Sequence, residues 1–209
     1  MPIVRFKNKN VYFSHIPKCG GTSIELFLIK SIGANLSFLD ANHYKNTNEP
    51  WTKSSPQHIT GNDLSRLFPL TFFDEFFTVT REPFDRFCSA FTFHKYITRR
   101  INHEIDINQF LSNLDEYKAL LPGHFDNHFL PQNNFLYPGA SYEIFKFENG
   151  MGGVKKYISS LFDVDVNNIS IPHLYKQKSE NKLNIDKLNN QSKKIILEIY
   201  KLDFEKFNY

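Results

Sequence analysis

The sequence predicts an α/β fold in which a mainly parallel central sheet is flanked by helices. Short apolar runs typical of buried strands alternate along the chain with longer runs of helical periodicity. No internal repeat or low-complexity tract interrupts this alternation. The 209 residues suffice for one domain with a substantial core, so we expect a single domain over residues 1–209.

Three strands are predicted from apolar runs bounded by turn residues: 11–15 (VYFSH), 75–80 (EFFTVT) and 142–147 (YEIFKF). The first helix follows from the apolar spacing that begins at Thr22 and from the stop signal at Gly33. Further helices are predicted at 62–68, at 83–100 with Pro83 in the first turn, at 106–114, at 154–162 and around 189–201. The segments 40–57 and 122–139 are rich in turn residues, which predicts irregular structure.

Composition narrows the function classes. An apolar content of 41% with 22% charged residues is typical of a soluble globular protein, and a net charge of +3 argues against a nucleic-acid partner. No apolar segment approaches 18 residues, so we expect no integral membrane segment. Without a signal peptide in the sequence, a cytoplasmic location is expected, with peripheral membrane association if the substrate is a glycolipid. Two cysteines form no disulfide framework.

The stretch SHIPKCGGTS after the first strand has the composition of an anion-binding loop. Gly20 and Gly21 let the backbone approach a ligand, and the amides from Gly20 to Ser23 lie at a helix start, where an anion is favoured. Thr22 and Ser23 add hydroxyl groups, and Lys18 adds a mobile positive charge. Taken alone, the loop is equally compatible with an ordinary strand-to-helix turn that carries a surface lysine.

A second motif, VTREPFDRFCSAF, favours the anion-binding interpretation. It places Arg81 just after a strand and Ser89 about two turns into the following helix, so that a guanidinium and a hydroxyl can converge on one anion. A nucleotide-hydrolysing P-loop protein would have an acidic magnesium ligand after that strand. Two anion motifs without such a carboxylate predict a nucleotide phosphorylated at both ends.

Together, HIPKCGGTS and TREPFDRFCSAF resemble the 5′-phosphosulfate loop and the 3′-phosphate motif of sulfotransferases that use 3′-phosphoadenosine 5′-phosphosulfate (PAPS). The chain is similar to their carbohydrate branch, which includes heparan sulfate 2-O-sulfotransferase, and to bacterial relatives. The resemblance continues in order through QHIT, HFLPQ, FKFEN, IPHL and the final IYKLDFEKFNY. Cys19 departs from the threonine common at its loop position, where a small side chain suffices.

The resemblance implies a PAPS donor, a P-loop-like three-layer fold and sulfuryl transfer without a metal. Lys18 would stabilise charge on the oxygen between phosphorus and sulfur as that bond breaks. The implied donor-binding residues are Lys18, Cys19, Gly20, Gly21, Thr22, Ser23, Arg81 and Ser89. The acceptor would be a hydroxyl of a carbohydrate or glycoconjugate.

Displacement at sulfur requires a base for the acceptor proton, and histidine suits this task near neutral pH. A histidine in a polar segment is more often a surface residue, but the resemblance places the catalytic histidine at His58. His128 is the next candidate and is predicted to contact the acceptor. His15 is assigned to packing and loop support, and Glu148 to a structural role ahead of a role as base. Cys19 is predicted to be a structural residue and not a nucleophile.

Two other function classes stay open at this point. A small kinase or nucleotidase of P-loop type would require magnesium ligands that the motifs lack. A non-catalytic nucleotide-binding module would have no need for both Lys18 and His58. The acceptor pocket is expected from segments 40–58 and 99–138, in which no motif indicates a particular sugar.

Overall fold

The computed structural model describes residues 2–39, 54–114, 116, 121–172, 174 and 183–209. The strands are β1 Ile3–Phe6, β2 Lys9–Ser14, β3 Asn35–Ser37, β4 Glu75–Thr80 and β5 Glu143–Lys146. The α-helices are α1 Gly21–Ile32, α2 Gly61–Ser65, α3 Pro83–Thr92, α4 Ile107–Ser112, α5 Leu121–His124, α6 Gly152–Phe162, α7 Asn190–Ile199 and α8 Lys201–Phe207. No helix in the described ranges has the length and apolar character that a bilayer span requires.

These elements form a mixed sheet with the strand order β3-β1-β2-β4-β5. The predicted α/β class is confirmed, but the expectation of a mainly parallel sheet is wrong in part. Strand β4 pairs in parallel with both β2 and β5, whereas β1 pairs antiparallel with both β2 and β3. The parallel half therefore corresponds to the three predicted strands, and the antiparallel half comes from two strands that the sequence analysis did not predict.

The missed strand β1 belongs to a hairpin with β2. Its two-residue turn is Lys7-Asn8, and both residues have positive φ values of 45° and 64°. Such turns usually contain Asn-Gly or Asp-Gly, so the Lys-Asn turn gives a weak sequence signal. Strand β3 has only three residues, two of them exposed, and therefore lacks an apolar run.

Most helix predictions hold, with changes at the ends. Gly33 caps α1 in the left-handed region, as predicted. The helix predicted at 83–100 is α-helical only to Thr92 and continues as a π-helical turn, Phe93–Ile97. The last predicted helix is divided at Tyr200 into α7 and α8. Of the segments predicted to be irregular, 122–139 contains the end of α5 and a 3₁₀ turn at Gln132–Phe135, while residues 40–53 lie outside the described residues.

The parallel strands bring the two sequence motifs to one edge of the sheet. Ser14 at the end of β2 pairs with Thr78 of β4, so the loop after β2 lies beside the residues that follow Thr80. Both strands are buried at these positions, and Phe13 stacks on Phe77 with ring centroids 4.7 Å apart. The carboxyl ends of parallel strands are where open α/β sheets bind ligands.

A second buried cluster surrounds Arg86 on α3, which is fully buried. Its Nη1 donates to the carbonyl of His128 at 3.0 Å and its Nη2 to that of Leu130 at 2.5 Å. Its guanidinium carbon lies 5.1 Å from the ring centroid of Tyr200. A charge removed from water is retained only with such partners, so Arg86 fixes the chain around residue 129 to α3.

We expect Arg86→Ala to destabilise the protein by about 3 kcal/mol or more, since two buried carbonyl groups lose charged donors and a cavity opens beside Tyr200. Urea unfolding followed by circular dichroism measures the change. Lys194→Ala, on the exposed side of α7, is the control and should stay within about 0.5 kcal/mol of wild type. An Arg86→Ala variant as stable as this control would contradict the anchoring role.

Candidate active site

A cavity of about 1020 Å³ opens where the loops after β2 and β4 meet. Nine of the ten residues predicted for the site line it: Lys18, Gly20, Gly21, Thr22, Ser23, His58, Arg81, Ser89 and His128. Cys19 is not among the lining residues. Its side chain is 1% exposed within the core, and its N–H donates to the carbonyl of Ile16 at 3.3 Å.

The two glycines of the loop are sterically required. Gly20 precedes α1 with φ 84°, and a Cβ there would lie 2.6 Å from Cε of Met151. A Cβ on Gly21 would lie 2.3 Å from atoms of the His15 ring. A side chain at either position would displace a neighbour. Glycine at both positions therefore lets the backbone approach a ligand.

Three amides at the start of α1 are available to an anion. The N–H groups of Gly20, Gly21 and Thr22 form no hydrogen bond with any described residue. The N–H of Ser23, predicted as a fourth donor, instead donates to the carbonyl of Gly20 at 3.1 Å, and its hydroxyl accepts from the N–H of Leu174 at 3.3 Å. Free N–H groups at a helix start favour bound negative charge.

Lys18 adds a cation that has no anionic partner in the described part of the chain. Its backbone has φ 71°, a region that lysine rarely occupies, and its Nζ lies 4.1 Å from the ring centroid of Phe93. Burial and the neighbouring Arg81 lower the pKa of Lys18 to about 8. An anion bound beside Lys18 would counteract both the burial and the repulsion from Arg81 that lower its pKa.

The backbone of Arg81 is fixed by two hydrogen bonds to Gln132. The side chain of Gln132 accepts from the N–H of Arg81 at 2.9 Å and donates to its carbonyl at 2.8 Å. The guanidinium lies 4.9 Å from the ring centroid of Phe147 and donates from Nη1 to the carbonyl of Lys18 at 3.3 Å. Its buried Nε has no hydrogen-bond partner among the described residues. This buried donor beside the cavity is therefore available to an acceptor that the described residues do not supply.

Ser89 lies on α3, two turns from its start, and is 7% exposed. Its hydroxyl forms no hydrogen bond with the described residues, although it lines the same cavity as Arg81. The structure thus places Arg81 and Ser89 on one cavity, while their convergence on one anion stays a prediction.

His58 is coupled to a carboxylate. It lies in a 3₁₀ turn, Pro56–His58, and its Nδ1 is 2.6 Å from Oδ2 of Asp126. The N–H and hydroxyl of Ser55 donate to the same carboxylate at 2.6 Å and 2.9 Å. Burial alone would raise the pKa of Asp126, but His58 and these hydrogen bonds outweigh it and lower that pKa.

A second histidine–carboxylate pair lies beneath the loop. Nδ1 of His15 bonds to Glu25, and Nε2 of Gln57 donates to the two oxygens of Glu25 at 3.0 Å and 2.8 Å. Burial lowers the pKa of His15 although Glu25 opposes this effect. The His15 ring is 3% exposed and packs against Gly21, in agreement with the predicted role in loop support.

His128 has a different environment. Its Nδ1 is 2.9 Å from Nε2 of His94, whose Nδ1 is 3.0 Å from the hydroxyl of Thr98. Burial, His94 and His58 hold the pKa of His128 well below its ordinary value, and burial and nearby cations lower that of His94 to about 3. Among the described residues no carboxylate forms a hydrogen bond with His128, whereas Asp126 forms one with His58.

The remaining two candidates lie apart from the cavity. Burial raises the pKa of Cys19 to about 12, so its thiol stays protonated, which agrees with a structural residue. Glu148 accepts from the N–H of Glu82 at 2.7 Å and from the hydroxyl of Tyr209 at 3.2 Å. These bonds give Glu148 a structural part beside the Arg81 loop.

The sequence analysis missed Asp126, Glu25, Gln57, His94 and Gln132. Local features, such as the three polar residues of FDNHF, mark these positions but do not identify their partners. Asp126 and its partner His58, for example, are 68 residues apart. His58, Asp126 and His128 also offer ligand atoms within 4.8 Å of one another, a set that could hold a metal ion. The sequence analysis expected no metal.

Comparison with known proteins gives a family assignment. A model described as Sulfotransfer_2, the sulfotransferase family, matches residues 1–209. No curated protein and no solved structure gave a significant match to this chain.

The lowered pKa of Lys18 predicts proton uptake on anion binding. At pH 8 Lys18 is roughly half protonated when free, and 3′-phosphoadenosine 5′-phosphate bound beside it would raise its pKa, with uptake of roughly half a proton. Calorimetry in two buffers of different ionisation enthalpy measures this uptake. Lys18→Arg stays charged and should lose it. Equal uptake by both proteins would contradict the assignment of the shift to Lys18.

Proposed function

This chain belongs to the sulfotransferase family, and we propose that it transfers a sulfuryl group from PAPS to a hydroxyl of a carbohydrate or glycoconjugate. The observation that carries the proposal is the pair of anion-binding features on one cavity, the loop of Lys18 and the pair Arg81 and Ser89, with His58 on the same wall. A donor with phosphate groups at both ends would engage both features.

The residues present fit such a donor. The amides of Gly20, Gly21 and Thr22 and the Nε of Arg81 have no hydrogen-bond partner in the described ranges. The amides would hold the 5′-phosphate, and Arg81 with the Ser89 hydroxyl would hold the 3′-phosphate. Bound PAPS supplies an activated sulfuryl group. The P-loop-like three-layer arrangement is part of this proposal and is supported by the β2–loop–α1 unit. A single domain over residues 1–209 and a cytoplasmic location stay predictions.

The chain contributes a base and a cation to the transfer. His58 would take the acceptor's hydroxyl proton as the new oxygen–sulfur bond forms, and Lys18 would stabilise the electron pair left on the phosphate oxygen when the old bond breaks. His58 suits the base role because Asp126 stabilises its protonated form, whereas His128 is held neutral by its surroundings. We assign His128 to the acceptor.

A phosphoryl-transfer function fits the cavity less well. Among the described residues, the two carboxylates that line it, Glu25 and Asp126, already bind His15 and His58 respectively. A magnesium-dependent nucleotidase would require an acidic ligand beside the phosphate loop. Sulfuryl transfer needs only the cations that are present. Magnesium-dependent hydrolysis of ATP at a rate exceeding sulfuryl transfer would favour the alternative.

The first test concerns the donor. 3′-Phosphoadenosine 5′-phosphate should raise the melting temperature well above the effect of AMP, since only the former has a 3′-phosphate for Arg81 and Ser89. Arg81→Ala should weaken its binding by roughly 10- to 150-fold, the equivalent of one charge-assisted hydrogen bond. Arg66→Ala, which removes an exposed charge away from the cavity, is the control. Equal stabilisation of the wild type by both nucleotides would refute the two-phosphate site.

The second test concerns the base. His58→Ala should bind 3′-phosphoadenosine 5′-phosphate normally but transfer sulfate roughly 10²–10⁴-fold more slowly, because only proton removal is lost. His103→Ala, at an exposed position, should behave like wild type. His128→Ala should raise KM for the acceptor more than it lowers kcat. Normal transfer by the His58 variant, with loss of transfer and unchanged acceptor binding in the His128 variant, would move the base to His128.

A further inference from the structure

Asp126 is the group that most directly constrains His58. Its Oδ2 lies 2.6 Å from Nδ1 of His58, and the aspartate side chain is largely withdrawn from solvent. An ionised carboxylate can only accept hydrogen bonds, so Nδ1 must carry the proton. Nε2 of the neutral ring is then left with its lone pair.

The carboxylate itself is fixed in place. Ser55 donates to both of its oxygens, from the backbone N–H at 2.6 Å and from the hydroxyl at 2.9 Å. The side chain of Asn127 donates to the carbonyl of His58 at 2.8 Å, which ties the same two segments together again. Three hydrogen bonds besides the one to His58 thus determine the distance between the two segments.

The backbone carries strain at this point. Asp126 and Asn127 both have left-handed conformations, with φ 51° and 61°. Asp and Asn tolerate this region better than most residues, but two in succession persist only where the surroundings hold them. The turn directs the Asp126 carboxylate to Ser55 and His58.

The neighbouring histidines lack this combination. His15 also has a carboxylate partner, but its ring packs under the backbone of Gly21. His128 faces another imidazole, which offers no negative charge. Of the four histidines that line the cavity, His15, His58, His94 and His128, His58 alone combines a carboxylate on Nδ1 with a ring that does not support the phosphate loop.

We propose that Asp126 is a positioning residue for the transfer reaction: it holds His58 as the Nδ1–H tautomer with Nε2 directed to the acceptor hydroxyl, and it stabilises the imidazolium formed when that proton arrives. This inference rests on the proposed role of His58 as the base. Asp126 itself does not take the proton, and Ser55 prevents the carboxylate from turning away.

Asp126→Asn tests the inference with little change in shape. The amide oxygen can still accept from Ser55, but the amide NH₂ donates to Nδ1 of His58 and thereby favours the Nε2–H tautomer. Turnover at saturating PAPS and acceptor should fall by roughly 10²–10⁴-fold, while affinity for 3′-phosphoadenosine 5′-phosphate stays unchanged. Asp186→Asn, on the exposed surface, is the matched control and should retain wild-type turnover.

A readout independent of activity is the ¹⁵N chemical shift of the His58 ring. Wild type should show a protonated Nδ1 and an unprotonated Nε2, and Asp126→Asn should show the reverse. Ser55→Ala, which removes one of the bonds to the carboxylate, should keep the wild-type tautomer and lose less turnover. An unchanged tautomer in folded Asp126→Asn would overturn the inference.

Two further outcomes separate the inference from competing explanations. If His58→Ala loses transfer but Asp126→Asn, with its tautomer reversed, does not, the positioning role fails and the proposed base stands. If His58→Ala itself keeps transfer, the base assignment fails first. Loss of wild-type activity with EDTA, restored by zinc in wild type but not in Asp126→Asn, would instead make Asp126 a metal ligand and overturn the inference.

Discussion

The site depends on how the segment from Asp126 to Asn133 is fixed. Arg86 binds the carbonyls of His128 and Leu130, and the buried carboxylate of Asp203 accepts from the N–H groups of Gln132 and Asn133 at 2.7 Å and 2.9 Å. From this fixed segment, the Gln132 side chain holds the backbone of Arg81, while Asp126 reaches His58 at the other end. One irregular stretch therefore positions both a predicted anion-binding residue and the proposed base. Its buried anchors explain why a segment rich in turn residues can still define a site.

The charges of the cavity are divided in a way that suits an anionic donor. Glu25 and Asp126 are each bonded to a histidine, so their negative charge is compensated within the chain. Lys18 and Arg81 have no carboxylate partner among the described residues, and burial together with the nearby Arg81 lowers the pKa of Lys18. These two cations and the neighbouring amides thus lack a negatively charged partner among the described residues. A phosphorylated ligand would provide that charge.

The sequence predicts this arrangement only where the information is local. The phosphate loop, strand β4 and Pro83 in the first turn of α3 all follow from adjacent residues whose conformational preferences agree. The Lys7-Asn8 hairpin is missed because Lys-Asn lacks the glycine that usually marks a two-residue turn of this kind. The pairings of His58 with Asp126 and of Arg81 with Gln132 are missed for a different reason. They join segments 68 and 51 residues apart, and no periodicity encodes a single contact of that kind. Of the site, the anion-binding residues could therefore be predicted from motifs, whereas the groups that orient them needed the fold.

The π-helical turn after α3 connects the two ends of the cavity. The N–H of Thr98 donates to the carbonyl of Phe93, five residues earlier, at 3.0 Å, which is the π-helical pattern. The wider turn reduces the rotation between successive side chains, so the adjacent Phe93 and His94 both reach the cavity wall. Phe93 then contacts the Lys18 ammonium, and His94 bonds to His128. Because Ser89 lies one turn earlier on the same helix, a single helical element carries a proposed donor contact and contacts both Lys18 and His128, the residue that we assign to the acceptor. A displacement of this element would therefore change the surroundings of Lys18 and His128 together.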